Sequence, residues 1–270
     1  MKRLISSTLL SIAALLLFSQ TPEQKLQKAY NCRSHKQLEA FFQDWRQEMP
    51  ANDSLVTDDT LKAVYEIFNS FYNPMEIKGR GIYDEGISFS SPHRTSSYNK
   101  KSRYDNTRYF LVQGSIILFR VDSVPSELSG LWLYNISENR FRIDIDTFYP
   151  KTNFSNKAVY LSKERLRLLE NFLEADTTYQ RWGKVTPDSL CRIRSKAKFL
   201  KPFIRPIYYK NYNQWLLSTW PKVSYVLFDS KLETVLIWFV KYTRGGYAIY
   251  HLENGQWKQV AYKETTHYDY

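Results

Sequence analysis

The 270-residue chain carries 38 basic and 27 acidic side chains, a net charge of +11, and 16% of its residues are aromatic against only 9 glycines. That balance excludes a disordered, collagenous or linker-rich chain, and two cysteines exclude a disulfide-dense scaffold. The length can bury a substantial core in one domain or two.

Met1-Lys2-Arg3, the apolar run Leu4 to Phe18 and the polar Ser19-Gln20-Thr21-Pro22 form the pattern of a secretory signal peptide. The run is short for a bilayer span, and no cysteine closes it as a lipoprotein signal requires. Cleavage near Ser19 or Gln20 is expected, with an uncleaved anchor as the alternative, so residues 21–270 are read as an exported protein, periplasmic or secreted. Cys32 and Cys191 then meet an oxidising compartment, and either one disulfide or two separately buried thiols is expected.

In chain order, Ser34-His35-Lys36-Gln37 is a capping box for a helix with Leu38, Phe41, Phe42, Trp45 and Met49 on one face and Pro50 at its stop. A second helix is capped at Thr57, with Asp58 and Asp59 at the positive end of its dipole. Its stripe is Leu61, Val64, Tyr65, Phe68 and Tyr72, before Asn73-Pro74. Residues 79–108 are poor in aliphatics and read as a long loop, with a short strand near Ile82 to Phe89 and a loop histidine, His93. Tyr109–Val121 is a buried strand interrupted at Gly114, where a bulge or bend is the usual cause. Residues 131–147 read as a hairpin turning at Ser137-Glu138-Asn139, with Phe141, Ile143 and Ile145 alternating against Arg142, Asp144 and Asp146.

Ser162 opens a third helix through Leu166, Leu169, Phe172 and Leu173. A polar connection follows at 176–186, and Thr186-Pro187 starts a fourth helix to about Leu200. Strands follow at Val223–Phe228, Thr234–Arg244, Tyr247–Glu253 and Gln256–Tyr262. This order predicts an α+β fold, an antiparallel sheet packed on amphipathic helices and ending in a four-stranded meander. Residues 21–270 read as a single unit, with two lobes joined near 176–187 as the alternative.

Gly245-Gly246 and Asn254-Gly255 have the composition of two-residue hairpin turns. The β-prone run after Gly246 rules out a phosphate loop, which needs a helix N-terminus there. For the second turn the register follows directly: Glu253 faces Gln256, Leu252 faces Trp257, His251 faces Lys258 and Tyr250 faces Gln259. A bulge at Gly245-Gly246 within one curved strand is the other geometry. His251, opposite a lysine, reads as a solvated sheet-face residue, and with no second His or Cys at ligand spacing no metal or other cofactor is expected.

The run ETVLIWFVKY, then GG, then a strand, then NGQW resembles the C-terminal sheet of NTF2-like (cystatin-like) proteins over roughly residues 223–262. The leader, LKAVYEIFNSFYNP, FLKPFIRPI and this ending are similar to uncharacterised exported proteins of Bacteroidetes. The resemblance implies a compartment and carries no active residues.

Residues 189–228 hold eight basic side chains and no acidic one. Within the helix, Arg192 and Lys196 lie on one side of the apolar stripe and Arg194 and Lys198 on the other, as in an ordinary solvated helix. The polar-aromatic loop Ile207–Pro221 is the stronger candidate surface. Arg205, Tyr208, Tyr209, Lys210, Tyr212, Trp215 and Trp220 are the expected ligand-binding residues, because cations attract an anionic ligand and rings stack on it.

A non-catalytic protein binding a cell-envelope or dietary glycan is the leading expectation. Export and the lack of any recognisable motif speak against nucleic acid. A hydrolase using carboxylates among Asp144, Asp146, Glu170 and Glu174 is the second reading, and a structural or partner-binding envelope component the third. G-x-S-x-G, H-E-x-x-H, C-x-x-C and calcium-loop motifs are absent.

Overall fold

A computed structural model describes residues 20–47, 59–80, 98–102, 104–124, 141–174, 187–209, 214–241 and 244–264. The leader, Met49-Pro50, the Thr57 cap, the strand near 82–89, His93, the turn at 137–139, the connection 176–186, Lys210 and Tyr212 lie outside the described residues.

The first helix, α1 (Pro22–Asn31), is one the sequence reading missed. The Gln24 amide donates to the Thr21 hydroxyl and the Thr21 amide to the Gln24 side chain, with Pro22 at the first turn. Helix α2 (His35–Gln47) follows after Ser34, whose hydroxyl accepts from the Gln37 amide as expected. Leu38, Phe41, Phe42 and Trp45 are buried along it. Helix α3 (Asp59–Phe71) buries Val64 and Phe68, and a 3-10 turn at Pro74–Glu76 follows. Helix α4 (Lys163–Phe172) has Ser162 as its cap, and α5 (Pro187–Leu200) begins at the expected proline.

The strands are β1 (Lys78–Arg80), β2 (Tyr98–Ser102), β3 (Phe110–Gln113), β4 (Ile116–Val121), β5 (Phe141–Ile145), β6 (Ala158–Leu161), β7 (Ile207–Tyr209), β8 (Gln214–Leu216), β9 (Lys222–Asp229), β10 (Thr234–Lys241), β11 (Arg244–Glu253) and β12 (Gln256–Glu264). A six-stranded sheet has the order β12-β11-β10-β9-β4-β5, so the α+β expectation and the C-terminal meander of β9 to β12 both hold. The sheet is not wholly antiparallel: β4 joins β9 in parallel, and β3 pairs β6 in parallel. Two corrections concern loops. The span 79–108 contributes β1 and β2, which pair antiparallel, and Ile207–Pro221 begins with the β7–β8 hairpin, Tyr208 opposite Trp215.

Gly114 is the corner where one run of chain changes sheets. Its amide donates to the Leu161 carbonyl at 3.1 Å and its carbonyl accepts from Phe148 at 2.8 Å. A Cβ there would stand 2.9 Å from the Leu161 oxygen, so backbone meets backbone and only glycine fits. The β3–β6 pair is buried on both faces, as parallel strands usually are. Phe110, Val112, Ala158 and Tyr160 enter a core with α3 and the large sheet, while Tyr109, Leu111, Val159 and Leu161 enter a second core with α1, α2, α4 and α5. Period-two alternation thus supplies both cores from one short pair of strands.

Gln113 clips this pair to the sheet. Its side-chain carbonyl accepts from the Val223 amide at 2.7 Å, and its amide group donates to Val223 and Ser115 carbonyls at 3.0 and 2.9 Å. Val223 is open to it because β9 slips register there: Trp238 faces Tyr225 and Phe239 faces Val223, which leaves Ser224 bulged. Gln113→Ala should destabilise the fold by about 2 kcal/mol, the typical cost of a buried amide stripped of its partner. Urea unfolding checks it; a midpoint unchanged from wild type would contradict the clip.

Asn254 and Gly255 turn with φ of 52° and 75°, and the pairing of Glu253 with Gln256, Leu252 with Trp257, His251 with Lys258 and Tyr250 with Gln259 is as the turn predicts. His251 is exposed, in keeping with its solvated reading. The Gly245-Gly246 turn is corrected. Lys241 faces Arg244, so the chain reverses three residues earlier, and both glycines lie inside β11. Gly246 is there because the Phe239 ring occupies the space a side chain would take.

Candidate functional site

Two helix starts, TPEQ and SKER, open onto one cleft. Pro22 and Glu23 of α1 form one wall, Ser162, Glu164, Arg165 and Leu168 of the α4 start form the other, and Trp45 and Tyr149 complete the lining of a space of about 380 Å³. Neither start belongs to the basic window, so charge segregation gave no hint of it.

Arg165 is the most constrained polar group in the cleft. Its amide donates to the capping Ser162 hydroxyl at 3.2 Å, its guanidinium Nη1 donates to the Tyr160 carbonyl at 3.0 Å, and the guanidinium carbon sits 5.1 Å from the centre of the Trp45 ring. Trp45 is itself fixed, packed at 4.6 Å on Phe41 and buried with the second core. Tyr149 is positioned from both sides. Its amide donates to the Tyr65 hydroxyl at 3.2 Å, and its ring meets Tyr160 edge-on at 5.3 Å. The Tyr160 hydroxyl in turn donates to the Pro150 carbonyl.

The carboxylates of the cleft sit in the first turns of α1 and α4, where the helix dipole favours negative charge. The Ser162 hydroxyl, together with the backbone amide of Glu164, holds the Glu164 carboxyl below the usual carboxylate range. Glu164 is therefore an ionised acceptor, the opposite of the raised carboxyl that a general acid for glycoside cleavage requires. Beside it, Lys163 pairs with Asp146 at 2.7 Å, and that hydrogen bond raises the lysine. The resulting set is a fixed guanidinium donor, two acidic acceptors, a hydroxyl and two aromatic edges. It suits the hydroxyl groups of a polar ligand better than a strongly anionic one.

The residues expected from the sequence lie elsewhere. Trp215 and Trp220 are buried, Trp215 in the helical core and Trp220 in the sheet core, where β8 and the chain leading into β9 direct them. Their rings are taken up by packing, so these two tryptophans do not present an exposed aromatic face. Arg205 is half-buried after α5, and Tyr208 and Tyr209 lie on β7. Arg205, Trp215 and Trp220 do not line the cleft.

The basic helix is also partly spoken for. Glu174 accepts two hydrogen bonds from the Arg192 guanidinium, both 2.7 Å, and one from Lys196 at 2.8 Å. Lys196 is buried and its ammonium lies 5.0 Å from the Phe172 ring centre. The acid-free window thus finds its acid just past the end of α4. Of the candidate carboxylates, Asp144 is bound by Arg142 at 2.8 Å, Asp146 by Lys163 and Glu174 by this cation pair, so these three serve ion pairs.

Cys32 and Cys191 are both free and exposed, which corrects the expectation of a bridge or two buried thiols. No cluster of metal-ligating side chains occurs among the described residues, and none of the described helices is long and apolar enough to cross a membrane. Comparison with known proteins returns no match, whether to a family model, a curated protein or a solved structure.

Proposed function

We propose that the chain is an exported, non-catalytic protein that binds a hydroxyl-rich polar ligand, a cell-envelope or dietary glycan, in the cleft between the starts of α1 and α4. The observation that carries this reading is the immobilised Arg165, held by the Trp45 ring and the Tyr160 carbonyl beside an ionised Glu164. A donor and an acceptor fixed before the ligand arrives lose little entropy on binding, which is the general advantage of a preorganised polar site. Export rests on the leader pattern and on the resemblance to exported proteins.

The test is a glycan array followed by calorimetry on the best binder, comparing wild type with Glu164→Gln. Glu164 is exposed, so the variant should stay folded, with an unfolding midpoint only slightly below wild type for the lost carboxylate at the helix start. Its affinity should fall about tenfold, equivalent to about 1.4 kcal/mol. Identical profiles for the two proteins would remove the cleft from consideration. The placement of Glu23 and Glu164 in one cleft favours a second reading, hydrolysis by paired carboxylates. Release of new reducing ends from a bound glycan, lost in Glu164→Gln, would establish that reading in place of the first.

A further inference from the structure

We infer that the corner where α1 ends, α2 begins and α5 passes is an electrostatic docking surface for an anionic phospholipid bilayer. The inference is independent of what the cleft binds. Two acid-free runs of the sequence supply its charge: residues 189–228, and residues 24–38, which hold Lys25, Lys28, Arg33 and Lys36.

Direct contacts bring the two runs together. The Arg33 guanidinium donates to the Ser195 hydroxyl of α5 at 3.1 Å and lies over the Tyr30 ring, 4.2 Å from its centre. At the start of α2 the His35 ring packs on Phe199 and Phe203 at 5.5 and 5.8 Å, with Lys36 next to it in the chain. Lys198 stands one turn beyond Ser195, so the cations of α5 begin where Arg33 lands. Arg194, Lys198 and Lys201 follow at spacings of four and three, which places them in a row along the helix, and the Lys201 amide donates to the Ala197 carbonyl at 3.1 Å, carrying the turn past Leu200. Arg33, Lys36, Arg194, Lys198 and Lys201 are all exposed. Neighbouring acids do not neutralise them: Glu174 holds Arg192 and Lys196 on the other side of the apolar stripe of α5, and Glu39, the first acid of α2, holds Arg108 at 2.8 Å.

The rest of the corner decides the partner. Phe199 and Phe203 are buried, and the exposed large hydrophobics among the described residues, Ile143, Leu252, Val260 and Tyr262, lie on the sheet. The corner therefore offers a sugar or a base no open ring on which to stack, and its cations spread over two helices instead of following a groove, as a single polyanionic strand requires. A plane of phosphate head groups meets such a face with many charges at once and needs no insertion of side chains. The cleft opens at the other end of α1, about 15 Å away at the rise of a ten-residue helix, so a chain docked by this corner keeps the cleft off the bilayer.

The experiment sediments the full chain with vesicles of phosphatidylcholine alone and with vesicles of equal parts phosphatidylcholine and phosphatidylglycerol. The leader contributes equally to every protein compared, so the corner is read from the difference between variants. Lys36→Gln/Lys198→Gln/Lys201→Gln should bind the anionic vesicles about a hundredfold more weakly than wild type, at roughly fivefold per cation, and the neutral vesicles equally. Lys231→Gln/Lys258→Gln/Lys263→Gln removes the same charge from exposed positions on the sheet and should bind the anionic vesicles nearly as wild type does. Raising the salt from about 0.1 M to about 1 M, which shortens the screening length from about 10 Å to about 3 Å, should abolish the difference between wild type and the first variant. Equal urea midpoints show that all three proteins are folded. Equal losses in the two variants would mean that net charge alone drives binding, and wild-type affinity in the first variant would mean that the corner takes no part; either result overturns the surface. Retention on immobilised heparin that the first variant loses, without any preference for anionic vesicles, would assign the corner to an anionic polymer in place of a bilayer.

Discussion

Replacing Gly246 with alanine should destabilise the protein by about 3 kcal/mol, the upper end of what an extra methyl costs in a close-packed interior. The methyl carbon would stand 2.5 Å from Cζ and 2.8 Å from Cε2 of Phe239, and 2.6 Å from the Lys263 carbonyl oxygen. A flexible side chain could move away, but neither of these can do so cheaply. Phe239 is fully buried, with Phe71 at 4.9 Å and the Tyr262 ring stacked at 5.3 Å, and Lys263 is fixed by the pairing of β12 with β11. The cost is therefore steric and not conformational, since among the described glycines the left-handed φ belongs to Gly255. Chemical denaturation measures it. The double variant Phe239→Leu/Gly246→Ala should lose less than the sum of its parts, because the smaller side chain vacates the space the methyl needs. Additive losses would place the strain elsewhere.

The same glycine shows how much of this fold is legible in the sequence. Asn-Gly identifies its turn because an Asn-Gly pair tolerates positive φ at both turn positions, and the register of β11 and β12 follows from local chemistry alone. Gly-Gly offers the same composition for a different reason, room for a ring on the neighbouring strand, and that partner is visible only once β10 and β11 are paired. Helix caps behave like Asn-Gly. Ser34, Ser162 and Pro187 mark their helices correctly, and Thr21-Pro22, taken as the polar end of the leader, opens an equally good cap completed by Gln24. Long-range pairing is what the sequence conceals. Nothing local announces that β4 lies parallel to β9, that Gly114 touches Leu161, or that the starts of α1 and α4, some 140 residues apart, share a cleft. The basic window misdirected attention for the same reason: an excess of charge within one segment says nothing of the acid waiting on another.

That acid carries the second large effect. Glu174→Ala should cost about 3 kcal/mol at neutral pH, the penalty for leaving a buried charge without its partner. The side chains of Glu174 and Lys196 are 14% and 10% exposed, whereas Arg192, at 51%, can turn to solvent when the carboxylate is gone. Lys196 has no such route. Glu174 occupies its position at a φ of 57°, just past the last residue of α4, so its carboxylate ties that helix end to α5 across two cations. The hydrogen bonds from Arg192, reinforced by Lys196, hold the Glu174 carboxyl below the usual range despite the opposing effect of desolvation. A depressed carboxyl contributes stability that is fully present above its unfolded value, about 4.3, and is lost as pH falls through the lower folded value. The gap between wild type and Glu174→Ala should therefore be widest near neutral pH and close progressively in acid below about pH 4. Urea unfolding of both proteins across that range measures the gap directly. A difference that stays constant with pH would mean that Glu174 acts through its packing at the helix end, and that its charge contributes nothing to joining α4 and α5.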